Sequence, residues 1–321
     1  MIRTSDILVL CGLALVGGCS PVARDGAPPA EATNAAASTV VLDRFEVMSD
    51  EHPMTVWGRV PEDPGAIVLL LHGRTWSSLP DFDLQVEGES LSLMEALAAR
   101  GIAAYALDAR GYGETPRDDT GWLNPDRMAE DAEAVLGWLA ERHPSHPSPA
   151  VMGWSFGSTV AHLTAQRYPD RVSGVALFGY WKHPDVSNSA AADPAEPPRQ
   201  ATTEAGARSD FIAEGAISDR AIDAFVAMAL SADPVRVDIR RVSEFNALSP
   251  DSLRVPTLIL QGELDPIAPT AVQAAVFEGL GTSHKSWVVL PGCDHAAHME
   301  VCMPRFVRTL SGFVLEVAGR D

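Results

Sequence analysis

The sequence predicts an α/β fold in which a mostly parallel sheet is flanked by helices on both faces. Short apolar runs alternate with stretches of helical periodicity from residue 66 onwards, as expected where crossover helices join parallel strands. The run at Ala66–Leu71 is apolar at every position, which is typical of a strand covered on both faces. A buried parallel sheet is therefore expected at the centre of the domain.

Runs of apolar and β-branched residues predict eight strands, which are, in chain order, Val40–Val47, Met54–Val60, Ala66–Leu71, Ile102–Leu107, Ala150–Trp154, Val172–Phe178, Thr257–Gln261 and Ser286–Leu290. The first two are joined by a turn at Asp50-Glu51-His52-Pro53. A helix is predicted over Leu91–Ala99, with Gly101 as its stop. A longer helix begins at Asn124-Pro125, a capping side chain followed by proline, and ends near Arg142.

About seventy residues without a strand pattern separate the sixth and seventh predicted strands. Residues 183–208 have the composition of a loop, and helical periodicity follows over Asp210–Gly215, Asp219–Leu230 and roughly Val235–Phe245. A long insertion inside a compact α/β domain is usually functional. We therefore expect a helical cap at residues 183–250, between two parts of the core at residues 39–182 and 251–321.

The N-terminus predicts export. Arg3 precedes an apolar run, Ile7–Val16, which is too short to span a bilayer and is typical of a signal peptide. The run ends in Val16-Gly17-Gly18-Cys19, which resembles the lipobox of bacterial lipoproteins. Residues 1–18 would then be removed and Cys19 would carry a lipid; the alternative is a plain signal peptide with a chance cysteine. Residues 19–38 predict a flexible tether, so the protein is expected in the periplasm or anchored to a membrane.

Charge and length restrict the function. The 321 residues include 24 basic and 43 acidic ones, which give a formal net charge of −19. This charge repels phosphate backbones and anionic lipids, so we expect no nucleic-acid partner and membrane contact only through the N-terminal lipid. A chain of this length buries roughly three quarters of its unfolded surface and needs no metal to fold. We expect no cofactor.

The sharpest motif is Gly153-Trp154-Ser155-Phe156-Gly157. It follows the apolar run that ends the fifth predicted strand and precedes a helical stretch, Thr159–Arg167. A serine on a strained turn between strand and helix needs flanking glycines, because neighbouring backbone passes close to it. The context therefore predicts that Ser155 is a nucleophile.

From these residues the chain is identified as similar to the α/β-hydrolase superfamily, over roughly residue 39 to the C-terminus. Leu71-His72-Gly73 ends the third strand, where the family has a His-Gly turn, and Asp108–Gly113 matches its D-x-R-G-x-G segment. The resemblance implies the α/β-hydrolase fold, with a mostly parallel eight-stranded sheet flanked by helices and a cap after strand six. It also implies that His72 and Asp108 shape loops.

The resemblance and the chain order Ser…Asp…His place the acid after the seventh strand. Asp265 fills the aspartate of the family pattern G-x-x-D-x-x-x-P, which begins here at Gly262. Glu263 is a competitor, and Asp185, after the sixth strand, is a weaker alternative position for the acid. A carboxylate is needed because it holds the base in one tautomer.

The family presents its base on the loop after the eighth strand, as G-x-x-H. His295 fits this pattern from Gly292, and it is expected to take the proton of the serine hydroxyl. His298 is the alternative base, and we expect it to be a packing residue.

The oxyanion hole is expected to combine the backbone N–H groups of Phe156 and Arg74. The Arg74 side chain is either solvated or in contact with an anionic group of the substrate. Trp76, Trp154 and Trp181 lie near these motifs in the sequence and are candidates for the substrate pocket. For Trp154 the alternative is core packing, because the residue before the serine often points inward.

We expect the hydrolysis of a small-molecule carboxylic ester through an acyl-enzyme. Amide or peptide hydrolysis by the same triad is the alternative, although His72-Gly73-Arg74-Thr75 lacks the H-G-G-P turn of the proline iminopeptidases. Ser155 excludes the chemistry of the dehalogenases and epoxide hydrolases, whose nucleophile is an aspartate. A non-catalytic binding protein remains a third possibility, and the fourth is a metal site at Cys293, His295, His298 and Cys302.

The chain has four cysteines. Cys11 lies inside the predicted signal peptide and Cys19 is the predicted lipid anchor, which leaves Cys293 and Cys302 in the exported protein. Paired cysteines are usually joined in an oxidising compartment. We therefore predict a disulfide between Cys293 and Cys302 that closes the loop carrying His295; the alternative is two free, buried thiols.

Overall fold

The computed structural model describes residues 40–189 and 194–319. The predicted signal peptide, Cys19 and the predicted tether lie outside these residues. Within the two described ranges, no helix is both long enough and apolar enough to cross a membrane.

Ten strands form two sheets. Their bounds are β1 Leu42–Ser49, β2 His52–Arg59, β3 Ala66–Leu71, β4 Ile102–Leu107, β5 Trp122–Leu123, β6 Ala150–Trp154, β7 Val175–Phe178, β8 Asp238–Ile239, β9 Thr257–Gly262 and β10 Lys285–Leu290. Eight of them make the main sheet, in the order β1-β2-β4-β3-β6-β7-β9-β10. The strands of this sheet all point in the same direction except β2, which is antiparallel to both of its neighbours, β1 and β4. The prediction of a mostly parallel, eight-stranded sheet is therefore confirmed, and β5 and β8 pair separately.

Eight α-helices are described, with bounds α1 Ser78–Phe82, α2 Leu93–Ala98, α3 Pro125–Arg142, α4 Phe156–Arg167, α5 Glu204–Arg208, α6 Asp219–Ala232, α7 Thr270–Gly279 and α8 Met303–Val317. Short 3₁₀ helices lie at Pro169–Arg171, Val242–Ala247 and Pro250–Ser252. Helices cover the main sheet on both faces.

The residues of β3 show how the two layers arise. Ile67, Leu69 and Leu71 belong to a core that includes side chains of α3 and α4. Val68 and Leu70 belong to a second core, which includes side chains of α2 and α8. Because successive side chains of a strand point to opposite faces, a strand buried on both faces is apolar throughout.

The first hairpin has a shorter turn than predicted. Ser49 pairs with His52, so the loop consists of Asp50 and Glu51 alone. Both residues have positive φ, of 48° and 60°. Two-residue hairpin loops favour this left-handed conformation, because it matches the twist of the strands.

Two helical predictions in the segment between β7 and β9 are wrong. Asp210–Gly215 is not a helix; the turn of helix lies before it, in α5, where the Thr203 side chain caps the Gly206 N–H. Val235–Phe245 is not one helix either, because β8 interrupts it and pairs with β5. By contrast, α6 lies where helical periodicity predicts it.

Candidate active site

The backbone around Ser155 has the strained form that the motif predicts. Ser155 lies between β6 and α4 with φ 54° and ψ −117°, a combination that costs about 1–3 kcal/mol. A β-carbon on Gly153 would lie 2.1 Å from the carbonyl oxygen of Gly157, and one on Gly157 would lie 2.2 Å from that of Leu71. Both positions therefore require glycine, and the strain is held by close packing of the backbone.

His295 and Asp265 are in direct contact. Nδ1 of His295 lies 2.7 Å from Oδ2 of Asp265, and both side chains are buried. The other carboxylate oxygen accepts the N–H groups of Ile267 and Ala268 at 2.8 and 3.0 Å. These bonds fix the carboxylate, so that Nδ1 carries the proton and Nε2 presents a lone pair. Within the described residues, Nε2 of His295 has no hydrogen-bond partner.

Trp154 connects the turn at Ser155, between β6 and α4 (the serine turn), to the loop between β10 and α8 that carries His295 (the histidine loop). Its indole Nε1 donates to the carbonyl oxygen of His295 at 2.7 Å, and the two rings lie 5.7 Å apart. The indole is buried and stacks on Phe178, which corresponds to the core alternative for this residue. Gly179 packs against the imidazole of His295, and a larger residue would not fit because its β-carbon would lie 2.8 Å from Cε1 of His295. The residue before Ser155 thus fixes the backbone that carries the imidazole.

His298, the alternative base, is a buried packing residue. Its Nε2 donates to the carbonyl oxygen of Asp81 at 2.8 Å, and burial lowers its pKa to about 3. Aromatic rings surround the imidazole, among them Phe82, Phe178 and Phe306. A histidine that stays neutral in an apolar setting is suited to packing rather than to proton transfer.

The two competing carboxylates have other surroundings. Glu263 accepts the N–H of Gly292 at 2.9 Å and so closes the turn after β10. Asp185 is exposed on the loop after β7. Neither is hydrogen-bonded to an imidazole of the candidate site in the described chain, whereas Asp265 is.

The loop after β3 is held in one shape. His72 donates through Nδ1 to the carbonyl oxygen of Gly73 at 2.8 Å, and Asp81 accepts the Gly73 N–H at 3.1 Å. Thr75 has a φ of 107°, which is rare for a β-branched residue, and its N–H donates to the hydroxyl of Tyr112 at 3.3 Å. A β-carbon on Gly73 would lie 3.6 Å from that of Ser155. Gly73 is therefore held in place close to Ser155, and the backbone amide of Arg74 belongs to the next residue in the chain.

Phe156 is the first residue of α4, and the N–H of a first helical residue has no partner within its helix.

The other two predicted pocket residues, Trp76 and Trp181, differ in burial. Trp76 is buried, lies edge-on to Phe225 and lines a cavity. Trp181 is half-buried and stacks on Phe156 at 6.4 Å.

Asp210 lies in the candidate site, and sequence reasoning missed it. Its carboxylate accepts the indole N–H of Trp76 at 2.7 Å. Burial raises the pKa of Asp210 to about 6, against the opposing effects of the Trp76 hydrogen bond and of nearby His295. No local pattern marks this aspartate, because its partners lie far away in the sequence.

Asp294, next to the base, ties the inserted segment to the histidine loop. Its carboxylate accepts the N–H of Ile212 at 2.7 Å and that of Ala213. These bonds explain why the chain is not helical here: the side chain of a distant residue satisfies its amides. In the sequence, the position of Asp294 beside the predicted base His295 is the only sign that this residue has a role. The sequence does not show that its partners are the amides of residues 212 and 213.

A disulfide joins the two ends of the histidine loop. Cys293 and Cys302 form a disulfide, with α-carbons 6.3 Å apart, as predicted. Joined sulfurs offer no thiolate to a metal, which removes the basis of the alternative metal site. Among the residues that the structure describes, no group of three or more potential ligands could hold a metal ion.

Solved structures resemble this architecture. A thermophilic esterase from Thermogutta terrifontis is 21% identical, with a TM-score of 0.60 over 86% of this chain and 99% of that chain. A meta-cleavage product hydrolase from Pseudomonas fluorescens is 19% identical, with a TM-score of 0.59 over 85% and 97%. A thioesterase domain from the curacin biosynthetic pathway is 16% identical, with a TM-score of 0.60 over 86% and 99%. At these identities the likeness shows the fold.

A comparison with curated proteins gives no significant match. The model of the Alpha/beta hydrolase family, however, matches residues 68–309, a range that begins in β3 and ends in α8. This range includes Ser155, Asp265 and His295 together with the elements that carry them. The sheet order, the strained turn and this match agree, and the chain therefore belongs to the alpha/beta hydrolase family.

Proposed function

We propose that this hydrolase is a serine enzyme that cleaves carboxylic esters through an acyl-enzyme intermediate. Ser155 is the nucleophile, His295 the base and Asp265 the acid. The observation that carries the proposal is the 2.7 Å contact between Asp265 and Nδ1 of His295, which leaves Nε2 with an unshared lone pair. A base held in this way activates a serine hydroxyl that comes within hydrogen-bond reach of it, and Trp154, next to Ser155, is bonded to the backbone of His295.

In the first step Nε2 of His295 takes the proton of the Ser155 hydroxyl while Oγ forms a bond to the ester carbonyl carbon. The carbonyl π electrons move onto oxygen, and Asp265 stabilises the imidazolium that results. The tetrahedral intermediate then collapses, the C–O bond to the alcohol breaks, and Nε2 gives its proton to the leaving oxygen. Water, activated by the same nitrogen, repeats these steps and releases the acid.

The N–H groups of Phe156 and Arg74 are proposed to stabilise the oxyanion. Support comes from the helix start at Phe156 and from the two hydrogen bonds that hold Gly73. Donors that are already fixed pay no reorganisation when charge develops, and one such donor contributes about 3–4 kcal/mol.

We also propose that residues 183–250 act as a cap that selects substrates. Two contacts support this role: Asp210 binds Trp76 on the loop after β3, and the amides of Ile212 and Ala213 bind Asp294 beside the base. Trp76 and Trp181 are the aromatic side chains proposed to line the substrate pocket.

Export, with a lipid on Cys19, is part of the proposal. Disulfides persist mainly in oxidising compartments, and the Cys293–Cys302 bond suits a periplasmic or membrane-anchored protein. The short apolar run before Cys19 gives the second line of support.

A fluorophosphonate probe tests the nucleophile. The wild-type protein should be labelled, and Ser155→Ala should lose both the label and about 10⁶-fold in kcat on a phenyl acetate substrate. Ser145→Ala is the matched control, because Ser145 lies outside the motif, is exposed and has its hydroxyl beside the neighbouring His146. Persistent labelling of Ser155→Ala would show that another residue is the nucleophile. A panel of esters and matching amides then separates esterase from amidase activity.

A further inference from the structure

Two arginine side chains lie close to each other near the candidate site, Arg74 at an exposed position and Arg236 half-buried. Burial and the nearby charge of Arg236 both lower the pKa of the Arg74 guanidinium. In the described part of the chain, Nε of Arg236 is buried without a hydrogen-bond partner. A buried donor without a partner is costly, so a ligand or water that accepts its hydrogen bond is favoured there.

The neighbouring carboxylate is already engaged. Asp238 acts on Arg74 electrostatically, but it lies 3.8 Å from the guanidinium of Arg117 and accepts the N–H of Arg199 at 3.2 Å. The chain as a whole carries a net charge of −19. Two neighbouring arginines in so acidic a protein form a local positive patch, which attracts anions.

Arg236 faces a cavity of about 360 Å³, whose lining includes Thr75, Trp76, Gln200, Thr203, Asp210 and Arg236. Side chains with hydroxyl, amide and charged groups dominate this lining. The cavity is therefore suited to a polar ligand that donates and accepts hydrogen bonds.

Two walls of this cavity lead to the reacting groups. Thr75 and Trp76 follow Gly73, whose β-carbon position lies 3.6 Å from that of Ser155. Asp210, on another wall, is close enough to His295 for their charges to interact. Thr75 is two residues after Gly73, and two residues span at most about 7 Å of chain. A substrate with its ester carbonyl at Ser155 would therefore need only a short spacer to place another group in this cavity.

The charges of the side chains around this cavity indicate which kind of anion it would bind. Arg74 and Arg236 contribute two positive charges, and Asp210 contributes one negative charge at neutral pH because its pKa is about 6. One net positive charge matches a monoanion rather than a phosphate dianion. A planar guanidinium can bind a carboxylate through paired hydrogen bonds.

We propose that Arg236, assisted by Arg74, binds a carboxylate group of the substrate, so that the preferred esters carry a carboxylate a few bonds from the scissile carbonyl. This inference rests on the proposed ester hydrolysis and names its substrate class. The carboxylate belongs either to the acyl part or to the alcohol part of the ester.

Four esters test the proposal in two matched pairs. Monoethyl glutarate and ethyl pentanoate differ by a carboxylate on the acyl side; 4-acetoxybutanoate and butyl acetate differ by one on the alcohol side. Acid release in a pH-stat gives kcat/KM for each ester. The wild-type enzyme should prefer the anionic member of one pair, and Arg236→Gln should reduce that preference by at least about tenfold.

Variants separate charge from geometry. Arg236→Lys keeps the charge without the paired donors, so it should restore only part of the preference. Arg171→Gln is the matched control, since this exposed arginine pairs with Glu133. Should Arg236→Gln fail to fold by circular dichroism, Arg74→Gln gives the same test from the other guanidinium.

A binding measurement separates the two proposals. Calorimetry on Ser155→Ala gives the Kd of monoethyl glutarate and of 4-acetoxybutanoate, with and without Arg236→Gln. Binding weakened about tenfold by Arg236→Gln, without turnover of any ester by wild type, would support the site and overturn the ester hydrolase. Turnover in which neither pair shows an Arg236-dependent preference would overturn the carboxylate site and leave the hydrolase intact.

Discussion

Glu300→Gln should remove a pH-dependent loss of stability from the histidine loop. Glu300 lies inside the loop that the Cys293–Cys302 disulfide closes, and only 3% of it is exposed. Burial and the neighbouring Asp294 carboxylate raise the pKa of Glu300 to about 8. The carboxyl group is therefore protonated in the folded protein at neutral pH, while its Oε2 accepts the Asp294 N–H at 2.9 Å.

The sign and size of the effect follow from this pKa. An exposed glutamate has a pKa of 4.5, so between about pH 4.5 and pH 8 the folded protein holds a proton that the unfolded chain has lost. Stability is fully present below pH 4.5 and falls as the pH rises, by about 1.4 kcal/mol per pH unit. Up to pH 8 the loss amounts to roughly 5 kcal/mol in the free energy of unfolding.

Glutamine is the matched replacement because it resembles the protonated acid. Its carbonyl oxygen can accept the Asp294 N–H, and its NH₂ group is uncharged like the protonated carboxyl, but it cannot ionise. The difference in unfolding free energy between Glu300→Gln and wild type should therefore grow between about pH 5 and pH 8 and stay constant above. Glu278→Gln, at an exposed position on α7, is the control.

Urea unfolding followed by tryptophan fluorescence at about pH 5, 6.5, 8 and 9 measures this difference. A gain of about 3–5 kcal/mol for Glu300→Gln over this range is expected, against a change below about 0.5 kcal/mol for Glu278→Gln. Parallel pH profiles of Glu300→Gln and wild type would refute the reasoning, because they would mean that Glu300 is ionised in the folded state.

Two further predictions concern the same region. Asp210→Asn keeps an acceptor for the Trp76 N–H but removes a charge near His295, so kcat on a neutral acetyl ester should fall about threefold to tenfold at pH 7.5. The loss should vanish below about pH 5, where Asp210 is protonated; a loss independent of pH would contradict this cause. Replacing Cys293 and Cys302 by alanine should lower the unfolding free energy by about 2.7 kcal/mol, from the loop-closure entropy of a loop this short. Carbamidomethylation of both cysteines in the native protein without reduction would contradict the disulfide.

The sequence predicted those parts of the fold in which local and tertiary demands agree. Ala66–Leu71, Ile102–Leu107 and Ala150–Trp154 are strands with the predicted bounds, because burial on both faces leaves a continuous apolar run with polar, glycine or proline residues around it. The serine turn was predictable for a similar reason. Gly153 and Gly157 are needed by the turn itself, and both are visible in five consecutive letters.

The inserted segment was less predictable because distant residues decide its structure. The amides of Ile212 and Ala213 bind Asp294, more than eighty residues away, so a stretch with helical spacing remains extended or turned. Likewise β8 exists only because β5 lies beside it. Neither partner can be inferred from periodicity, which reports burial along one element and not which element covers it.

These distant contacts link substrate selection to the geometry of catalysis. Residues 210–213 bind the loop after β3 through Trp76 and the histidine loop through Asp294. These two loops carry the proposed oxyanion donor Arg74 and the proposed base His295. A change in the inserted segment that shifts Asp210 or Ile212 therefore moves a donor or the base as well as the pocket wall. Since a misplacement of about 1 Å can cost about 100-fold in rate, substitutions at these positions should change kcat and substrate preference together.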